Sequence, residues 1–97
     1  MRREIEKAMN QNIPLKLRIA GHFSDGLLHG VDDIFTALSP EYGRERQFTR
    51  ETIDNHLKSL CVVGIIKDAE AMLDGDDRLI VTYRISDFGR MKIRKAF

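Results

Sequence analysis

The chain changes its hydrophobic period once, abruptly, and that change restricts its possible folds more than any other feature. Ile53, Leu57 and Leu60 recur at spacings of four and three, the buried stripe of a helix. Gly64 stands where such a helix would stop, because glycine accepts the left-handed backbone that closes a helix. Further on, Leu79, Val81, Tyr83 and Ile85 alternate with Ile80, Thr82 and Arg84, the period of a half-buried strand. Ile65-Ile66 opens an earlier strand, and Asp74-Gly75 between the two carries hairpin-turn chemistry. A helix is therefore expected to run through one glycine into a two-stranded hairpin.

Upstream, three more apolar patterns have helical spacing. Ile5 and Met9 suggest a short amphipathic helix over residues 1–12, bounded by Asn12 and Pro14. Leu15, Ile19 and Phe23 form the stripe of a second helix, stopped by Ser24-Asp25-Gly26. Val31, Ile34, Phe35 and Leu38 match the i, i+3, i+4, i+7 pattern of a third, with Asp32 and Asp33 in its first turn, where negative charge suits the dipole. Ser39-Pro40 is expected to end it, and Glu41 to Phe48 reads as an extended polar connection. Leu27 to Gly30 has room only for a bridge or a short strand. Thr49 is a good N-cap for the helix that follows, and Ser86 for a last one. The fold class is then mainly α with a small β-hairpin.

Composition narrows the function. No apolar run approaches the ~20 residues that span a bilayer, and the N-terminal MRREIEKAMNQ lacks the apolar core of a signal peptide. With a single cysteine, Cys61, a disulfide framework is excluded and a reduced, cytoplasmic setting is the default. His22, His29 and His56 show no metal-ligand spacing. Asp74-Gly75-Asp76-Asp77 lacks the spaced ligands and terminal glutamate of a calcium loop. Neither a nucleophile elbow nor a phosphate-cradling glycine loop is present. The expectation is no enzyme, no metal and no cofactor.

Net charge is only +1, but the charges are segregated. Residues 84–97 hold five basic side chains and one acidic, while residues 68–77 hold five acidic and no basic. A polarised surface follows.

Three segments carry a family resemblance. His56 to Ile66 (HLKSLCVVGII) resembles the end of a winged-helix recognition helix running into its wing. Tyr83 to Gly89 (YRISDFG) resembles the exit from the wing in MarR-like and PadR-like transcription regulators, and Gly30 to Leu38 (GVDDIFTAL) looks like their second helix. The resemblance spans roughly residues 14–97 and implies a winged helix-turn-helix: a three-helix core, a wing and terminal helices. It departs from the family in its connection from Leu38 to Thr49, about ten residues against the three or four of a compact helix-turn-helix, so either the second core helix extends to Tyr42 or the turn is a loop with its own role. Cys61 and Val62 also stand where the family usually has charge. The whole chain, 1–97, is expected to be one domain. Within it, 1–12 is the N-terminal helix, 14–66 the helical core, 65–86 the wing hairpin and 86–97 the C-terminal helix.

The resemblance implies a homodimer that binds double-stranded DNA with the helix 49–63 in the major groove. On a helical wheel Glu51, Asn55, Lys58, Ser59 and Val62 face outward, flanked by Arg50 and Thr52. Asn pairs well with adenine, and Arg or Lys with guanine. Specificity is assigned to Arg50, Asn55, Lys58 and Ser59 with Thr49 and Thr52 beside them, and phosphate contact to Arg44, Arg46 and Arg78. The alternative for this face is an ordinary solvated helix surface, which Glu51 and Asp54 favour. The dimer contact is assigned to the terminal helices, through Ile5, Met9, Phe88, Met91 and Phe97. Against all this stands the wing tip, where Asp68, Glu70, Asp74, Asp76 and Asp77 replace the expected cations. The alternative is a protein-interaction module that turns its acidic wing and the Cys61/Val62 surface toward a basic partner.

Overall fold

The computed structural model describes residues 13–96; the expected helix over 1–12, with Ile5 and Met9, and the terminal Phe97 lie outside the described residues. Four helices and a hairpin follow one another: α1 Leu15–His22, α2 Val31–Tyr42, α3 Arg50–Val62, β1 Ile66–Leu73, β2 Leu79–Ile85 and α4 Asp87–Ala96. A single 3-10 turn, Phe23–Asp25, ends α1. The core gathers one stripe from each of the first three helices, Ile19 with Phe23 of the turn after it, then Ile34 and Leu38, then Ile53, Leu57 and Leu60, and Ile93 from α4. Ile66, Tyr83 and Ile85 close it from the base of the hairpin. Fully burying each of these side chains contributes on the order of 1.5–3 kcal/mol.

Local chemistry explains the ends of α3. The Thr49 hydroxyl accepts the Thr52 amide at 3.0 Å, satisfying a donor that the first helical turn leaves orphaned. At the other end Gly64 has φ +85°. Its amide reaches the Cys61 carbonyl at 3.0 Å, and the Ile65 amide reaches Leu60 at 2.9 Å. That pair of bonds is a Schellman closure, and it turns the chain straight into β1.

The hairpin is antiparallel, from Ile66 opposite Ile85 out to Leu73 opposite Leu79, with an irregularity between Asp68 and Glu70. A bulge of this kind bends the strand and increases its twist. Burial fades along the wing: Tyr83 and Ile85 are buried at its base, whereas Leu79 is 67% exposed near its tip. The backbone of His29 pairs with Tyr83 in both directions, at 3.0 and 2.9 Å, so Leu27 to Gly30 supplies a one-residue bridge beside the hairpin.

Two expectations are corrected. Ser39-Pro40 does not end α2, which continues through Pro40 to Tyr42, the first of the two readings of the long connection. Proline removes an amide and crowds the preceding turn, but the last turn is held from outside. Tyr42 is buried, its hydroxyl donates to the Ile13 carbonyl at 2.7 Å, and the Gly43 amide bonds Ser39 at 2.8 Å. Residues 43–48 are then a series of turns rather than an extended connection, with the Glu45 amide on Tyr42 and that of Phe48 on Glu45.

The wing turn also differs from the tight Asp-Gly form. Gly75 is not left-handed; Asp77 is, with φ 60°. The Asp77 amide bonds the Asp74 carbonyl at 3.1 Å, and the Asp74 amide bonds Arg78 at 2.9 Å. This is a three-residue loop, a turn followed by one left-handed residue. The Asp74 carboxylate accepts the amides of Asp76 and Arg78 at 2.8 and 3.0 Å, so it holds the loop from inside.

Leu57→Ala is expected to cost about 2–5 kcal/mol, as for any leucine truncated in a packed core. Gly89→Ala should be worse, because a Cβ there would lie 1.9 Å from the Ile65 carbonyl oxygen. Denaturant melts check both. A loss under about 1 kcal/mol for Leu57→Ala would mean that α3 is rotated and its outer face misassigned.

Candidate nucleic-acid interface

The outward face of α3 starts at a structured corner. Phe35 of α2 stacks on Phe48 with ring centroids 4.8 Å apart, and Tyr42 lies 6.3 Å from Phe48 on the same stack. These rings fix the turns that carry Arg44 and Arg46, both exposed. The Arg50 guanidinium lies 4.2 Å over the Phe35 ring, and its Nε donates to Asp32 at 2.8 Å. Arg50 therefore ties the first turn of α3 to the first turn of α2. Both partners of the pair are more than half exposed, so the bond itself adds at most about 1 kcal/mol. Its effect is to hold one rotamer.

The assigned residues divide into groups. Arg44, Arg46, Thr49, Arg50 and Thr52 come together where the turns enter α3. The Thr49 and Thr52 hydroxyls bond each other at 3.0 Å, so both serve the cap. Asn55 and Lys58 stand exposed along the helix. Lys58 pairs with Asp54 at 2.8 Å, which raises its pKa. Ser59 is half-buried and engaged from another direction, its hydroxyl accepting from Lys16 of α1 at 2.5 Å. Arg78 belongs to the wing loop, apart from the helix. Among the described residues, no ion pair forms at Arg44, Arg46 or Arg78.

The rival surface is there as well. Val62 is 86% exposed at the end of α3. Cys61 is half-buried, with its thiol 3.7 Å from the Asp68 carboxylate. Burial first, and then the neighbouring negative charge, push the thiol up to about 11.

A cluster that sequence spacing did not reveal sits between α1 and α2. His29 is buried, with Nδ1 2.9 Å from Asp33 and Nε2 2.9 Å from Asp25. Asp33 also accepts the Gly30 amide at 3.1 Å, closing the start of α2. The His22 ring packs 4.3 Å from that of His29, and burial, followed by the His29 charge, lowers the His22 pKa. The i, i+4 spacing of Asp25, His29 and Asp33 was the available signal, hidden because the three span a turn, a bridge and a helix. Among the described residues, no group of three or more His, Cys, Asp or Glu side chains is placed to hold a metal ion. No described helix is long and apolar enough to cross a membrane.

Helices α1 to α3 with the hairpin after α3 make this chain a winged helix-turn-helix domain, α+β in class. Its fold is similar to that of Bacillus subtilis PadR in complex with operator DNA, with a TM-score of 0.70 and 23% sequence identity. The match covers 84% of this chain and 45% of that one, so the domain spans less than half the length of its structural neighbour. Comparison with family models finds no match, and comparison with curated proteins finds none either.

Cys61 is expected to stay a thiol at neutral pH and to alkylate more slowly than a free peptide cysteine, since only the thiolate is nucleophilic. Asp68→Asn should speed the reaction in part, as burial remains. Mass-spectrometric alkylation rates check this, and a rate equal to that of the peptide would contradict the assigned environment.

Proposed function

We propose that this domain binds double-stranded DNA as a transcription regulator, with α3 in the major groove. The observation that carries the reading is the exposed polar face of α3, entered through a rigid basic corner. The likeness of the fold to a regulator bound to its operator supports it. Arg44 and Arg46 contact phosphates at the corner, and Arg78 does so from the wing. Arg50 and Lys58 release their carboxylate partners to reach the duplex, Asn55 reads a base edge, and Thr49, Thr52 and Ser59 border the contact. Arg50 and Lys58 start from surface ion pairs, which are weak enough to exchange for phosphate or guanine. The chain acts as one binding domain without catalysis, in the cytoplasm and as a homodimer.

A second reading has its own observation. The wing tip is acidic where the duplex is acidic, and Val62 lies bare at the end of α3. On that reading the domain is a protein-interaction module for a basic partner.

Titration against duplex DNA of random sequence at two salt concentrations separates the two. Non-specific binding on the order of 10⁻⁴–10⁻⁶ M, falling steeply as salt rises, is the expected result. No binding at low salt would favour the interaction module. Arg50→Ala and Lys58→Ala should weaken every duplex, while Asn55→Ala should mainly relax sequence preference by roughly 1–3 kcal/mol. Unchanged affinity in all three variants would remove α3 from the interface.

The wing gives an independent check. Like charges ~4 Å apart repel by about 1 kcal/mol in water, so Asp74→Asn, Asp76→Asn and Asp77→Asn together should tighten non-specific binding. The gain should shrink with salt, because screening acts over ~10 Å at 0.1 M. Asparagine keeps the acceptor at position 74 and tolerates the left-handed backbone at 77, so the loop should survive. Unchanged affinity at low salt would mean that the wing points away from the duplex.

A further inference from the structure

The outer half of the hairpin leaves Met72, Leu73 and Leu79 between 51% and 67% exposed. Leu73 and Leu79 are cross-strand partners and therefore share one face of the hairpin. That face continues inward into a cleft of about 390 Å³, floored by Val31, Leu79 and Val81 and edged by Asp32, Asp33 and Asp54. Arg50 and Lys58 already balance Asp32 and Asp54, whereas toward the tip Asp74, Asp76 and Asp77 outnumber Arg78; Glu70, the partner of Thr82, lies on the opposite face. An apolar strip edged by acid is shaped for an apolar surface edged by base.

The chain itself carries such a surface. Helix α4 buries only Gly89 and Ile93, and it leaves Phe88 45% and Met91 49% exposed. Lys92 and Lys95 share their side of the helix, the Lys92 ammonium 5.3 Å over the Phe88 ring, and Asp87 is the one acidic residue of the helix. Two copies of α4 packed on each other would bring like charges together at a shared axis, which costs energy even where apolar contact is gained. The wing offers the opposite charge. Its size also suits: a ten-residue helix is about 15 Å long, and an eight-residue strand about 26 Å, so the helix can lie along the hairpin.

We propose that two copies of this chain pair reciprocally, α4 of each lying on the acidic wing of the other. The exchange closes a two-fold dimer in which one patch pair is used twice. It rests on the homodimer reading above and names its surfaces.

The test is an exchange of charge. Asp76→Lys with Asp77→Asn makes the tip net positive beside Arg78 without touching the Asp74 carboxylate that holds the loop. Lys92→Glu with Lys95→Glu reverses the helix. Sedimentation equilibrium should find the parent dimeric, each double variant monomeric, and an equimolar mixture of the two associated again. Parent dimers that tolerate both reversals would overturn the wing–helix pairing while leaving the homodimer standing. A parent that stays monomeric at high micromolar concentration would overturn both. Failure of the mixture to associate would also sink the pairing. Circular dichroism of each variant identifies any loss of fold, and a second experiment does not depend on reversal. In a Cys61→Ser background, a Leu73→Cys chain mixed with a Met91→Cys chain should form a disulfide-linked dimer under mild oxidation. Linkage of Met91→Cys chains to each other in preference would place α4 on α4 and contradict the proposal.

Discussion

One joint holds α3, both strands of the wing and the last helix together. The Ser86 hydroxyl meets the Gly64 carbonyl at 2.5 Å and the Ile65 carbonyl at 3.0 Å, and it accepts the Gly89 amide at 2.8 Å. The Ser86 amide bonds Ile65 at 3.0 Å. Gly64 closes α3 beneath this point, and Gly89 lets α4 approach the backbone of Ile65 closer than any Cβ would permit. The angle between α3 and the wing is thus fixed by backbone geometry and one hydroxyl, together with the packing of Ile66, Tyr83 and Ile85 on the core. For a reader of DNA that angle decides which parts reach a duplex together. The bridge between His29 and Tyr83, anchored by Asp25 and Asp33, braces the same hairpin from its other edge.

The parts of the fold legible in the sequence are those governed by short-range chemistry. The Thr49 cap, the glycine stop at position 64 and the Ser86 cap each depend on a few neighbouring residues, so a local pattern announces them. The buried stripe of α3 was legible for the same reason. Pro40 misled because its local preference to end a helix is outweighed by distant contacts, above all that of Tyr42 with Ile13. The hairpin turn at Asp74-Gly75 was legible as well, although Asp77 rather than Gly75 takes the left-handed backbone and the Asp74 carboxylate makes that form stable.

The candidate site was less legible than the fold. A helical wheel identifies which side chains face outward, and Asn55 and Lys58 do. It cannot identify partners 18 or 43 positions away, such as Asp32 for Arg50 or Lys16 for Ser59. The aromatic stack of Phe35, Phe48 and Tyr42 is equally non-local. Once seen, it explains how a connection too long for a compact helix-turn-helix still presents Arg44 and Arg46 in a defined place. Net charge near zero hides a molecule with a basic corner, a basic last helix and an acidic wing, and these regions point to different partners.

The central claim is that the α3 face and its basic corner form the surface that meets a duplex. Amide chemical shifts of the isotope-labelled chain, followed while a short duplex is added at low salt, test it residue by residue. The account predicts graded shifts concentrated between Arg44 and Lys58, reversing as salt is raised. Shifts confined to α4 or to the outer wing, with α3 silent, would contradict it.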